Sequence, residues 1–127
     1  MNRLCLPLHH AIWVVVIAGF CSGAAAETIA PETLFQVACS ACHSLEVEPD
    51  HRIGPPLGAL ADRKVGSVSR YAYSTALSTS QLTWNLATLS AWIVDAEALI
   101  PGNSMNFANP LSAEETQQLA LWLLSQP

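Results

Sequence analysis

The chain has 127 residues, 51% of them hydrophobic, and a formal net charge of −5. That length holds one domain with a modest core. Five basic residues against ten acidic ones make nucleic acid and anionic membrane surfaces poor partners.

The first element is a leader. Arg3 gives a weakly positive start, Ala11 to Phe20 is a short apolar run, and Ala24-Ala25-Ala26 supplies small residues for cleavage before Glu27. The run falls short of the ~20 residues a membrane span needs. Residues 1–26 therefore read as a cleavable secretory signal, with an uncleaved anchor as the alternative. A lipid on Cys21 is disfavoured by the bulky Phe20 before it. Cleavage leaves 27–127 as one domain whose only cysteines are Cys39 and Cys42. Four basic residues then face ten acidic ones, hence −6.

In the mature part the spacing predicts three helices around a long irregular middle, an all-α fold with no strand. The first helix runs from about Pro31 to Cys42, with proline and Glu32 suiting its first turn. Leu34, Ala38 and Ala41 form its apolar stripe, flanked by Phe35 and Val37. From Ser44 to Leu82, Pro49, Gly54-Pro55-Pro56, Gly58 and Gly66 break the periodicity. A segment this irregular needs something to wrap around. The second helix spans about Asn85 to Leu99 and stops at Pro101-Gly102. The third opens on a capping box, Ser112-Ala113-Glu114-Glu115, followed by Thr116, Leu119, Ala120 and Leu123 on one face.

Chemistry concentrates in Cys39-Ser40-Ala41-Cys42-His43, the attachment pattern of a covalent c-type haem. Two thiols at this spacing meet two vinyl groups, and the next residue offers iron an imidazole. The competing readings are a redox CxxC, which expects alternating strands and helices, and half of a zinc site, for which only His51 remains as a further usual donor. Met105, the only methionine after the leader, follows the Pro101-Gly102 turn and offers a thioether to the opposite face. Imidazole plus thioether raises the potential and points to electron transfer. His51 is too close to His43 in sequence to reach that face and reads as a structural histidine.

These residues resemble the class I cytochromes c, the family of mitochondrial cytochrome c and bacterial cytochrome c2, over nearly all of the mature chain. Besides the cysteine motif, the matches include Phe35, His51, Gly54-Pro55, Leu57, Arg63-Lys64, Gly66, Tyr71, Tyr73, Trp84, Ile100-Pro101-Gly102, Met105 and Phe107. The resemblance implies one covalent haem c, with His43 and Met105 as axial ligands and helices at the two ends packed across each other. Leu119 and Trp122 would then lie near Phe35. It implies that the Pro55 carbonyl orients His43 and that Arg63, Tyr73 and Trp84 meet the propionates. It also puts Pro55, Trp92, Asn103 and Phe107 in the haem pocket.

Departures accompany the matches. Trp92 stands where the family often has tyrosine, Asn103 where threonine is common, and Leu77 where asparagine often holds a water. The lysine ring of mitochondrial-type proteins is replaced by residues such as Ala38, Glu97, Ala98 and Ser104, with Arg52 alone basic. The expectation is a monomeric, non-enzymatic one-electron carrier of a bacterial periplasm, not inserted in a membrane. Its reductase and oxidase or dehydrogenase partners would present a neutral or basic docking face. The alternatives are a permanent subunit of a dehydrogenase or sulfur-oxidising complex, and a haem peroxidase or gas-binding protein with an open iron position.

Overall fold

The computed structural model describes residues 28–47 and 52–127. Residues 1–26, read as a leader, and His51 lie outside the described residues. Five helices form among the described residues: α1 (Pro31–Ala38), α2 (Thr75–Ser78), α3 (Leu86–Val94), α4 (Ala96–Leu99) and α5 (Ala113–Leu124). No strand is present among them. One antiparallel bridge links Lys64 to Thr83.

Helix α1 is shorter than its apolar pattern predicts. Cys39 leaves helical geometry at φ −123°, and the Ser40 N–H reaches back to Phe35 O at 3.0 Å, which widens the last turn. The Ser40 hydroxyl donates to Gln36 O at 2.6 Å, a back-bond that competes with continuing the helix. A separate turn follows, with the Cys42 and His43 N–H groups donating to Cys39 O at 3.1 and 2.9 Å. Val37, expected to flank the buried stripe, is 75% exposed.

The predicted helix over 85–99 is two helices. Asn85 and Thr88 cap α3 reciprocally, with Thr88 N donating to Asn85 Oδ1 at 3.0 Å and Asn85 N to Thr88 Oγ1 at 2.9 Å. The chain then turns extended at Asp95 (φ −156°, ψ 96°), whose carboxylate accepts from Ala98 N at 2.9 Å and starts α4. An aspartate that bonds to a nearby backbone N–H favours a cap over a helix interior. The capping box of α5 forms as its sequence predicts, with Glu115 N donating to Ser112 Oγ at 3.2 Å and Ser112 N to Glu115 Oε2 at 2.8 Å. The Ser112 backbone N–H, aided by the Ser112 side chain, holds the Glu115 carboxyl below its ordinary pKa.

Helix α5 packs against both α1 and α3. Leu34, Leu119, Ala120 and Leu123 are buried in this seam. Phe35 and Trp122 meet with ring centroids 5.7 Å apart. The irregular middle is tied down by an antiparallel pairing in which Asp62 N donates to Trp84 O, Trp84 N to Arg63 O and Val65 N to Leu82 O, each at 2.9 Å. It brings Arg63 and Trp84 side by side on one wall of a central cavity.

Candidate functional site

The cavity measures about 280 Å³ and is walled mainly by apolar side chains from the loops and from α1, α2, α3 and α5. Cys39, Cys42 and His43 enter it from the turn after α1, Pro55 from the following loop, Arg63 and Trp84 from the paired segment, and Tyr73 from the loop before α2. Trp92 enters from α3, and Met105 and Phe107 from the loop before α5. Residues far apart in sequence thus share one space.

The His43 ring is held from two directions. Its Nδ1 lies 2.7 Å from Pro55 O and donates to it, leaving Nε2 as the lone-pair nitrogen. Burial lowers its pKa, with the Pro55 bond acting in the opposite direction. The imidazole is therefore neutral at ordinary pH, the form that binds a metal. Gly54 presses against the same ring. A Cβ there would stand 2.2 Å from His43 Cε1 and 2.6 Å from Nδ1. Gly54→Ala is expected to push the ring off the Pro55 carbonyl and to destabilise the protein by about 1–3 kcal/mol, as overpacking does. A lowered midpoint in a guanidinium titration checks this.

Burial, with Cys42 adding a smaller contribution, pushes the Cys39 thiol up to about 11. It stays protonated at neutral pH, unlike the activated thiols of redox CxxC motifs. No cluster of three or more His, Cys, Asp or Glu side chains able to hold a metal ion occurs among the described residues. The protonated Cys39 thiol gives the redox reading no support, whereas apolar walls around two thiols, an imidazole and a thioether fit a flat prosthetic group bonded at one edge.

Among the described residues, Arg63 is the only Lys, Arg, Asp or Glu lining the cavity. Its guanidinium donates to Gly58 O at 2.7 Å and Pro56 O at 2.9 Å. Two of its five N–H donors are thus spent on the loop. Burial lowers the Arg63 pKa, opposed by Tyr73, while burial raises that of Tyr73, opposed by the Val68 backbone and by Arg63. Trp84 and Trp92 meet edge to face at 5.6 Å.

Asn103, expected among the pocket residues, is not part of the cavity wall. Its amide is engaged within its own loop, with Oδ1 accepting from Met105 N at 2.8 Å and Nδ2 donating to Ile100 O at 3.0 Å. Sequence reasoning also left the contact of Gly54 with His43 unseen, and with it the bond from Tyr71 Oη to Ile53 O at 2.7 Å. A glycine preceding Pro55 was the one available signal for the first. Tyr71 stacks edge to face on Tyr73 at 4.7 Å.

Residues 30–127 match the sequence profile of the family described as Cytochrome c. The cytochrome c of Chlamydomonas reinhardtii is 33% identical over 104 residues, covering 82% of this chain and 93% of that protein. The cytochrome c2 of Rhodoplanes tepidamans is 35% identical over 85 residues, covering 67% and 79%. The solved structure of cytochrome cH from Methylobacterium extorquens superposes with a TM-score of 0.69 at 32% identity, covering 76% of this chain and 96% of that one.

Proposed function

This chain belongs to the cytochrome c family and carries one covalently attached haem c for electron transfer, and on that premise we propose that it is a freely diffusing one-electron shuttle of a bacterial periplasm. The observation that carries this reading is that Cys39, Cys42, His43 and Met105 line one and the same cavity. When bound, haem c supplies a ferric–ferrous couple. Cys39 and Cys42 would anchor it through thioethers, and His43 and Met105 would hold its iron. His43 keeps its proton on Nδ1 through Pro55, so its other nitrogen is free to bind. Arg63, with Tyr73 and Trp84, offsets the propionate charge. Phe107 and the Trp84–Trp92 pair keep water from the iron. Two residues that would both bind the iron favour this reading over a peroxidase or gas binder, which needs an open position.

The leader-like pattern of residues 1–26 supports export. No helix among the described residues is long and apolar enough to cross a membrane.

The docking face follows from the rim. The cavity-lining residues that reach the surface, Ile53, Ser104 and Asn106, carry no charge. Ile53 is 78% exposed, and Val37 on α1 is also open to solvent. Arg52 donates one N–H to Ser40 O at 2.8 Å. A partner with a neutral or basic, partly apolar face suits this rim better than an acidic one. Stopped-flow electron transfer to such a terminal oxidase is expected to change less than about twofold between low and roughly 0.5 M salt, because few charges approach across the interface. Fast transfer to an acidic partner that falls steeply with salt would overturn this docking mode, and failure to exchange electrons at all would overturn the shuttle.

A further inference from the structure

The loop that carries Met105 is fastened by a carboxylate on α4. Asp95 caps that short helix and so sets the direction of the next turn, which includes Glu97. Glu97 Oε1 accepts from Gly102 N at 2.9 Å, and Oε2 accepts from Asn103 Nδ2 at 3.1 Å. The same Asn103 amide donates to Ile100 O and, through Oδ1, accepts from the backbone N–H of Met105 at 2.8 Å. Gly102, at φ +82°, supplies the left-handed turn that points its N–H at the carboxylate. One charged side chain thus reaches the methionine's own backbone through a single intermediary. Bonds to an ionised acceptor are the stronger kind.

We propose that Glu97 and Asn103 are positioning residues that act as one latch on the Met105 loop, setting how often the methionine sulfur leaves the iron. The proposal rests on the reading of Met105 as an axial ligand and extends it. Glu97 does not line the cavity and its hydrogen bonds go to Gly102 and Asn103, so it works through the loop. An external ligand such as cyanide enters when the sulfur is away, so its rate of binding reports the latch.

The test uses the ferric holoprotein, comparing wild type with Glu97→Ala, Glu97→Gln, Asn103→Ala and the double alanine variant. Each is followed by cyanide-binding rate, by the weak long-wavelength band of sulfur–iron bonding, and by global stability in guanidinium. The alanine variant at 97 is expected to bind cyanide about tenfold faster, the order that losing a hydrogen bond to a charged group sets. Glutamine keeps the acceptor for Gly102 N and is expected to fall between alanine and wild type. The double variant is expected to fall short of the product of the single effects, since the two side chains share a bond. A wild-type rate in both Glu97 variants, strict multiplicativity, or a rise that only tracks lost global stability overturns the latch and leaves the ligand assignment standing. Absence of the sulfur–iron band from wild type overturns the ligand assignment itself. If the alanine variant does not fold, the glutamine variant carries the comparison alone, and an unchanged rate there sinks the proposal.

Discussion

Replacing Cys39 and Cys42 together by alanine is expected to yield a chain whose pigment, if any, comes away in acidified organic solvent, and whose cooperative unfolding is largely lost. The reason lies in the core. The walls of the central cavity include Leu60, Leu89, Trp92, Ile93 and Leu123, which are also the buried hydrophobic residues that hold the helices together. With nothing retained inside, a void of about 280 Å³ costs about 7 kcal/mol at roughly 24 cal/mol per Å³. That is of the same order as the whole stability of a small domain, about 5–15 kcal/mol. Helical circular dichroism and a guanidinium titration, after expression with haem-attachment machinery present, give the readout. A variant that holds its pigment through acid extraction, or unfolds at the wild-type midpoint, would show that the two thiols are not the attachment points.

Met105→Ala is expected to remove the sulfur–iron band, to admit cyanide within the mixing time of a stopped-flow experiment, and to lower the potential. The fall is expected to be on the order of 0.1–0.2 V, within the roughly 0.8 V over which axial ligands move haem potentials. A neutral thioether favours ferrous iron, and water or hydroxide in its place favours ferric. The fold is expected to survive better than in the cysteine variant, since Met105 is only partly buried and its backbone is held by Asn103. A variant that keeps the wild-type potential and still excludes cyanide would mean that another side chain binds the iron.

What could be read from the chain beforehand was what is local. Ser112 and Glu115 define a cap within one turn, and the structure forms it. The cysteine motif and the Pro101-Gly102 turn are contiguous signals, so the two ends of the candidate site were visible as text. What escaped depends on groups meeting across space, or on a polar residue winning a local competition. Nothing in the apolar periodicity over 85–99 marks Asp95 as a break, because its effect comes from one carboxylate finding Ala98 N. Ser40 ends α1 in the same way, through a back-bond invisible to a hydrophobic pattern. Asn103 aligned with a pocket position but spends its amide on the loop. Gly54 looked like a turn residue and proves to be a clearance for the imidazole.

The pairing of residues 62–65 with 82–84 carries a last implication. Its bonds run between backbone groups, so the adjacency of Arg63 and Trp84 owes little to what their side chains are. The side chains instead fasten what lies around that frame, Arg63 holding Gly58 O and Pro56 O and Trp84 packing on Trp92. A change at position 63 therefore alters the charge beside the cavity and loosens the loop at once, while the ladder beneath it persists.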